Sequence, residues 1–150
     1  MNKGDAEVNG FLGLNKASGM TSMDVVRVVK RLTGMRKRVG HGGTLDPLAQ
    51  GVLPICLGQA TRLMEYLINK SKEYSMKIRL GVETDTYDAE GTIVEERDAS
   101  GITKEDIETA IRPFQGTFLQ KPPMHSALKK DGQRLYNLAR KGVELELEPR

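Results

Sequence analysis

One glycine-rich segment holds the two side chains that are the strongest candidates for chemistry. Val39 to Pro54 reads VGHGGTLDPLAQGVLP, in which His41 and Asp46 stand among glycines with basic sequence nearby. Glycine permits a positive φ and lets other groups approach the backbone closely, so this segment could lie against a ligand. Local structure offers another explanation: Asp46 can cap a turn or helix that begins with Pro47, and His41 can be an exposed polar residue. The local pattern leaves both interpretations open.

Several familiar kinds of catalytic site lack their motifs in this sequence. Neither Ser18 nor Ser126 lies in G-x-S-x-G, which marks a serine-hydrolase nucleophile. There is no Walker phosphate-binding loop, and no G-x-G-x-x-G precedes a helix. Two histidines, His41 and His125, with the single Cys56 cannot build a typical zinc site, so we expect no metal. The lone cysteine forms no intramolecular disulfide, and its apolar neighbours predict that it is buried.

The composition predicts a globular chain without a membrane anchor. Its 150 residues are 38% hydrophobic, which suffices for a modest core and argues against wholesale disorder. Met1 to Gly10 contains no apolar signal core. The longest apolar run, Val52 to Leu57, is far too short to span a bilayer. We therefore expect a cytoplasmic location and no membrane partner.

The net charge of +3 conceals a strong segregation of charged residues. Cations outnumber acids six to one in Thr21 to Thr44 and again in Lys121 to Lys141, whereas Glu83 to Glu108 is mainly acidic. A single charge run is usually a solvated face. Two basic segments indicate a surface that binds a polyanion, because clustered Lys and Arg make most phosphate contacts.

The elements that would position these residues follow no strict βαβ rhythm, which predicts an α+β fold. Apolar or alternating segments predict four strands: Gly10 to Lys16, Gly51 to Gly58, Lys72 to Leu80 and Phe114 to Leu119. Helical spacing predicts four helices: one to about Thr33 capped by Thr21 or Ser22, Ala60 to Ile68, Thr103 to Arg112, and Leu135 to Lys141. We expect a basic loop at Met35 to Gly43 and a hairpin turn at Asp131-Gly132.

Lys72 to Leu80 has the clearest strand pattern. Apolar residues alternate with polar ones over most of its length, and Tyr74 lies on the apolar side. On this pattern alone, Tyr74 belongs to the core.

The block GHGGTLDPLAQGVLP closely resembles the catalytic motif of the bacterial tRNA pseudouridine-55 synthases, the tRNA pseudouridine synthase B family. The resemblance continues in order through GFLGLNKASGMTS, LGQATRL, KEYSMKIRLGVETDTYDAEG and QKPPMHSALKKDGQRLYNLARKG. It therefore spans nearly the whole chain, and several ordered blocks are far more specific than a lone Leu-Asp-Pro. It implies the pseudouridine synthase fold, in which helices flank a mixed, largely antiparallel sheet.

By this resemblance, Asp46 is the catalytic aspartate, Tyr74 stacks on the target uracil, and His41 contacts the tRNA and helps to open its T loop. The implied reaction breaks the N1–C1′ bond of uridine 55, turns the base and joins C5 to C1′ without any cofactor. The carboxylate can attack the sugar or the base, or assist glycal formation. The uracil must leave its stack while basic side chains hold the RNA backbone. The candidates for those backbone contacts are Arg36, Lys37, Arg38, Lys129 and Lys130.

The resemblance also implies that the family's pattern continues beyond Arg150. It includes a later strand, an arginine that pairs with the catalytic carboxylate, and usually a small RNA-binding PUA domain. We therefore interpret residues 1–150 as the N-terminal part of the catalytic domain, with the remaining half as a candidate partner. Ala17 and Gly43 depart from the family, which commonly has Pro and Thr there. The alternative function is a non-catalytic tRNA-binding or tRNA-folding module, or an inactive fragment of the enzyme.

Overall fold

The computed structural model describes residues 8–122, 129–130, 132–135, 143, 145 and 147–149. The chain divides into two compact units, Met1–Ser75 and Met76–Arg150. Helices and antiparallel strand pairs together confirm the predicted α+β class. Within the described ranges, no helix is long and apolar enough to cross a membrane.

The first unit is built on a three-stranded antiparallel sheet in the order β1–β3–β2. The strands are β1 (Gly10–Lys16), β2 (Val39–His41) and β3 (Gly51–Leu57). β1 and β3 confirm their predictions and pair along their whole length, so that Lys16 lies opposite Gly51. β2 corrects the prediction of a loop over Met35 to Gly43, because three residues of that segment, Val39–His41, pair with β3, and His41 lies opposite Ile55.

Helix α1 (Ser22–Thr33) packs against this sheet. Thr21 is its N-cap: the Thr21 hydroxyl accepts from the N–H of Asp24, whose carboxylate accepts from the N–H of Thr21. Gly34 ends the helix with a φ of 72°. Valine is a weak helix former, so burial in the core supplies much of the helix's stability. That core consists of Val25, Val26, Val29, Met35, Leu53, Ile55 and Leu57.

A 3₁₀ helix (Gly58–Leu63) and the short helix α2 (Met64–Ile68) follow β3, which confirms helical structure where Ala60 to Ile68 predicts it. This segment lies close against the end of β2. A Cβ atom on Gly40 would come within 2.5 Å of Met64 Cε, and one on Gly42 within 3.2 Å of the Leu67 side chain. The absence of a side chain at both glycines permits this approach.

The strand predicted over Lys72 to Leu80 is wrong. Its residues up to Arg79 have no regular secondary structure, and Met76 and Ile78 are 72% and 74% exposed. Among the described residues no strand pairs with this segment. Alternation alone does not stabilise a strand, because the ladder hydrogen bonds and the buried face both come from a partner.

The second unit contains the antiparallel pair β4 (Val82–Thr84) and β5 (Ile93–Glu96). Helix α3 (Lys104–Ile111) begins at Thr103 with a capping box to Asp106, as predicted. The short strands β6 (Lys129–Lys130) and β7 (Gln133–Arg134) confirm the predicted hairpin. The helix predicted over Leu135 to Lys141 lies outside the described residues except at its first position.

Two further expectations concern single segments. The strand predicted over Phe114 to Leu119 is wrong, because Arg112–Phe114 form a 3₁₀ turn and Gly116 has a φ of 79°, which an extended strand does not adopt. Cys56 is fully buried, as predicted. Burial raises the pKa of its thiol, so this cysteine stays protonated and unreactive at neutral pH.

Candidate functional site

His41 closes β2, where the connection that carries Asp46 begins. Its side chain is partly buried, and the ring Nδ1 lies 2.5 Å from the carbonyl oxygen of Gly43. Two acceptors would repel each other at this distance, so Nδ1 carries a proton and donates a hydrogen bond to the carbonyl oxygen. In the neutral imidazole, Nε2 is then left as an acceptor for another group.

Asp46 occupies an exposed turn between β2 and β3. Its backbone carbonyl accepts from the N–H of Ala49 at 3.0 Å, and Pro47 takes the second turn position that proline favours. The Asp46 carboxylate makes no hydrogen bond or ion pair with any other residue in the described ranges. The backbone therefore accounts for the turn, while the carboxylate is uncommitted.

A buried lysine is hydrogen-bonded to the backbone of this turn. Lys16, at the end of β1, is only 1% exposed. Its Nζ donates to the carbonyl oxygens of Ala17 at 2.9 Å, Met20 at 2.7 Å and Pro47 at 3.2 Å. Three acceptors match the three N–H donors of an ammonium group, which is what allows the cation to be buried. Pro47, which follows Asp46, is thus hydrogen-bonded to the buried ammonium group of Lys16.

Two further contacts attach the turn to the start of α1. The Ser22 hydroxyl donates to the carbonyl of Leu45 at 3.0 Å and accepts from the N–H of Leu45 at 2.9 Å. The N–H of Gly19 donates to the carbonyl of Pro47 at 2.8 Å. The Leu45 side chain also packs against the core of the first unit. The residues on both sides of Asp46 are therefore held by the segment that joins β1 to α1.

The sequence did not predict a role for Lys16, and it did not predict the contact between the Ser22 hydroxyl and Leu45. A signal for Lys16 was present, because alternation along β1 places it on the same face as Leu12 and Leu14, and its 1% exposure agrees. Ser22 carried no such signal. Thr21 and Ser22 are equivalent candidates for the helix cap in the sequence, and only the structure shows that Thr21 takes it and leaves the Ser22 hydroxyl to Leu45.

The basic residues Arg36, Lys37 and Arg38 form an exposed connection from α1 to β2, which we call the basic loop. Arg38 has a φ of 54°, and its carbonyl accepts from the N–H of Gly58 at 2.8 Å. The next amide, that of Gln59, donates to the side chain of Asn9. The basic loop is therefore anchored to the start of the 3₁₀ helix while its side chains face solvent.

The other predicted site residues are placed differently. Tyr74 is 60% exposed in a segment without regular structure, so the interpretation of Tyr74 as a core residue is wrong. Lys129 and Lys130 form β6 in the second unit, and their side chains lie outside the described part. His41, Asp46 and the basic loop belong to one continuous stretch of the first unit.

Comparisons with known proteins agree with the motif. A family model described as TruB family pseudouridylate synthase (N terminal domain) matches residues 30–150. A tRNA pseudouridine synthase B of Clostridium tetani is 51% identical over 143 residues, which are 95% of this chain and 49% of that protein. One of Symbiobacterium thermophilum is 53% identical over 149 residues, which are 99% of this chain and 50% of that protein. The chain thus spans about half the length of the curated relatives it matches.

A solved structure supports the fold. The crystal structure of a Cbf5-Nop10-Gar1 complex matches with a TM-score of 0.53 and 28% identity, over 83% of this chain and 32% of the matched chain. The resemblance seen in the sequence is therefore confirmed. This chain belongs to the TruB family of pseudouridylate synthases, and its match lies in the N-terminal domain of that family.

Proposed function

We propose that this chain supplies the catalytic aspartate of an enzyme that converts uridine to pseudouridine at position 55 in the T loop of tRNA. The observation that carries the proposal is the uncommitted, exposed carboxylate of Asp46 on a turn whose two flanks are hydrogen-bonded to the buried residues Lys16 and Ser22. A carboxylate that is free to meet a ligand, on a backbone restrained by hydrogen bonds on both sides, suits chemistry on a bound nucleotide.

The proposed chemistry needs only side chains. The N1–C1′ bond of uridine breaks, either through attack of the Asp46 carboxylate at C1′ or at the base, or through a glycal that the carboxylate assists. The detached uracil turns and forms the C5–C1′ bond; where the Asp46 carboxylate had bonded to C1′ this step displaces it, and where it had bonded to the base that bond breaks afterwards, so the free carboxylate is restored in either route. The proton on C5 then leaves for solvent and N1 gains one, so the product is an isomer of the substrate. Tyr74, exposed in the same unit, would stack on the extruded uracil and is a candidate base for the C5 proton.

His41 and the basic loop would hold the RNA. The Nε2 atom of His41 is available as an acceptor, because Nδ1 already donates to Gly43, and it can contact a base or a ribose hydroxyl in the T loop. Arg36, Lys37 and Arg38 would contact the phosphates of the T arm, as would Lys129 and Lys130. No cofactor or metal enters the proposal, and the reaction would take place on tRNA in the cytoplasm.

The comparisons support this proposal through the names of the relatives, which are called tRNA pseudouridine synthase B. Because those relatives are about twice as long as this chain, the proposed enzyme includes a further half that would complete the site. The alternative, a tRNA-binding module without turnover, keeps the basic loop and gives Asp46 no chemical role.

Tritium release tests the proposal. A T-arm hairpin carries 5-³H-uridine only at position 55, and this chain is added in stoichiometric amount, alone and with the C-terminal half of the Clostridium tetani relative. Formation of the C5–C1′ bond expels the label, so we expect release in at least one of the two reactions. Hairpin binding without release in both would favour the binding module. Release from a hairpin labelled at a different uridine would contradict the assignment of position 55.

A further inference from the structure

We propose that Ser22 is a positioning residue for Asp46. Its hydroxyl holds the backbone of Leu45 so that the next residue presents its carboxylate in a fixed place. The inference rests on the proposed function, because it concerns the same aspartate. Ser22 itself touches no substrate in this account.

The Ser22 hydroxyl holds the backbone of Leu45 through two hydrogen bonds. Ser22 is 4% exposed, so little of it is open to competing water. The one hydroxyl proton goes to the carbonyl of Leu45, and an oxygen lone pair accepts the N–H of the same residue. Both backbone groups of Leu45 are thereby bonded to one atom, which restricts the rotation of that residue more than a single hydrogen bond would.

Ser22 lies at the capped end of α1. Ser22 is the first residue of α1, directly after the capping box between Thr21 and Asp24. Val25 and Val26 in the next turn are buried in the core. The hydroxyl is thus carried by a capped and packed helix end.

The restraint reaches Asp46 through a single peptide link. On the other side of Asp46, Pro47 is held by Lys16 and Gly19. If the Ser22 hydroxyl is removed, the backbone of Leu45 loses both hydrogen bonds and is held on this side only by the packing of its side chain against the core, so Asp46 gains freedom to move. Misplacement of a reacting group by about 1 Å can slow a reaction by roughly 100-fold.

The first test is amide hydrogen exchange measured by NMR on the 150-residue chain. In Ser22→Ala, we expect the Leu45 amide and the Ala49 amide, whose acceptor is Asp46, to exchange about tenfold faster or more. Ser22→Thr keeps the hydroxyl and should restore slow exchange at both. Thr33→Ala removes a hydroxyl from the far end of the same helix and is the matched control, which should leave both amides unchanged.

Unchanged exchange at both amides in Ser22→Ala would overturn the proposal. So would faster exchange at Leu45 alone, because the restraint would then end before Asp46. Neither result depends on turnover, so the exchange measurement decides the role of Ser22 even if the chain releases no tritium.

The second test separates positioning from binding. In single-turnover tritium release from the T-arm hairpin, Ser22→Ala should lower the rate about 10- to 100-fold while Kd for the hairpin changes less than about twofold. Ser22→Thr should recover most of the rate. A Ser22→Ala rate equal to that of the wild type, with Asp46→Asn inactive, would overturn the positioning role and leave the proposed function standing. Activity that persists in Asp46→Asn would instead remove the proposed function.

Discussion

The Nζ atom of Lys16 donates to the carbonyl oxygen of Pro47 at 3.2 Å, across 31 residues of sequence. This bond joins the end of β1 to the residue that follows Asp46. Burying a cation is costly, and here three backbone carbonyls replace the water that Lys16 loses. The exposed turn of Asp46 is therefore hydrogen-bonded to a buried lysine.

Lys16→Met tests whether that contact stabilises the first unit. The variant leaves three carbonyls without their donor, so we expect the free energy of unfolding to fall by about 2–4 kcal/mol. Urea unfolding followed by far-ultraviolet circular dichroism measures the change. Lys37→Met, which removes an exposed lysine of the basic loop, is the control and should change stability little. A Lys16→Met protein as stable as the wild type would show that burying the ammonium costs as much as its hydrogen bonds return.

The strands and helices of the first unit were predictable because their signals are local. Thr21, Asp24 and Gly34 mark both ends of α1, and the apolar run after Gly51 identifies β3. The segment from Lys72 to Leu80 shows the limit of such reasoning. Its apolar and polar residues alternate over most of its length, but a strand also needs a partner, and the sequence pattern does not contain one.

The site was predictable in a different way. Local residues left the role of Asp46 open, and only the resemblance to the ordered family motif marked it as the candidate catalytic residue. The contacts of Lys16 and Ser22 could not be read from the sequence, because their partners Pro47 and Leu45 lie 31 and 23 residues away. The roles of Asp46, His41, Tyr74 and the basic side chains all stay predictions.

Gly58→Ala tests the anchor of the basic loop. Gly58 has a φ of 58°, and a Cβ atom there would lie 2.6 Å from the backbone oxygen of Val8 and 2.1 Å from Asn9 Oδ1. We expect a loss of about 2–4 kcal/mol in unfolding free energy, from backbone strain and from the clash together. Gly34→Ala is the matched control, because Gly34 has a φ of 72° but open space around it, and it should cost only about 1 kcal/mol. Equal losses in the two variants would exclude the clash.

Asp24→Asn tests the cap of α1 through its pH dependence. Hydrogen bonds from Thr21, followed by the contact with Arg27, lower the pKa of Asp24 below its ordinary value of 3.8. A carboxyl with a lower pKa in the folded state stabilises the fold above its unfolded pKa, and this contribution is lost as the pH falls through the folded value. The Tm of the wild type should therefore drop more between about pH 6 and about pH 2 than that of Asp24→Asn. Glu65→Gln, an exposed acid of α2, should follow the wild type, and parallel curves for Asp24→Asn and the wild type would contradict the assignment.

The basic loop is tested by the salt dependence of RNA binding. Replacing Arg36 and Lys37 by Gln should weaken binding of the T-arm hairpin and reduce the slope of log K against log salt by about 1.4–1.8, if each contacts one phosphate. Fluorescence anisotropy over a salt series measures both quantities. Replacing Arg97 and Lys104 by Gln removes two cations from the acidic segment of the second unit and is the matched control. An unchanged slope in the first variant would show that the basic loop is only a solvated surface.

The central claim is that Asp46 performs the chemistry, and Asp46→Asn tests it most directly. The amide keeps the size of the side chain and removes the charge, so the turn and the basic loop should be undisturbed. The test measures tritium release at uridine 55 and hairpin binding in the same samples. Asp98→Asn is the control, since the Asp98 carboxylate accepts hydrogen bonds from Ser100 in the second unit. The account predicts that Asp46→Asn binds the hairpin like the wild type and releases no tritium, while Asp98→Asn releases it at the wild-type rate. Full release by Asp46→Asn would contradict it.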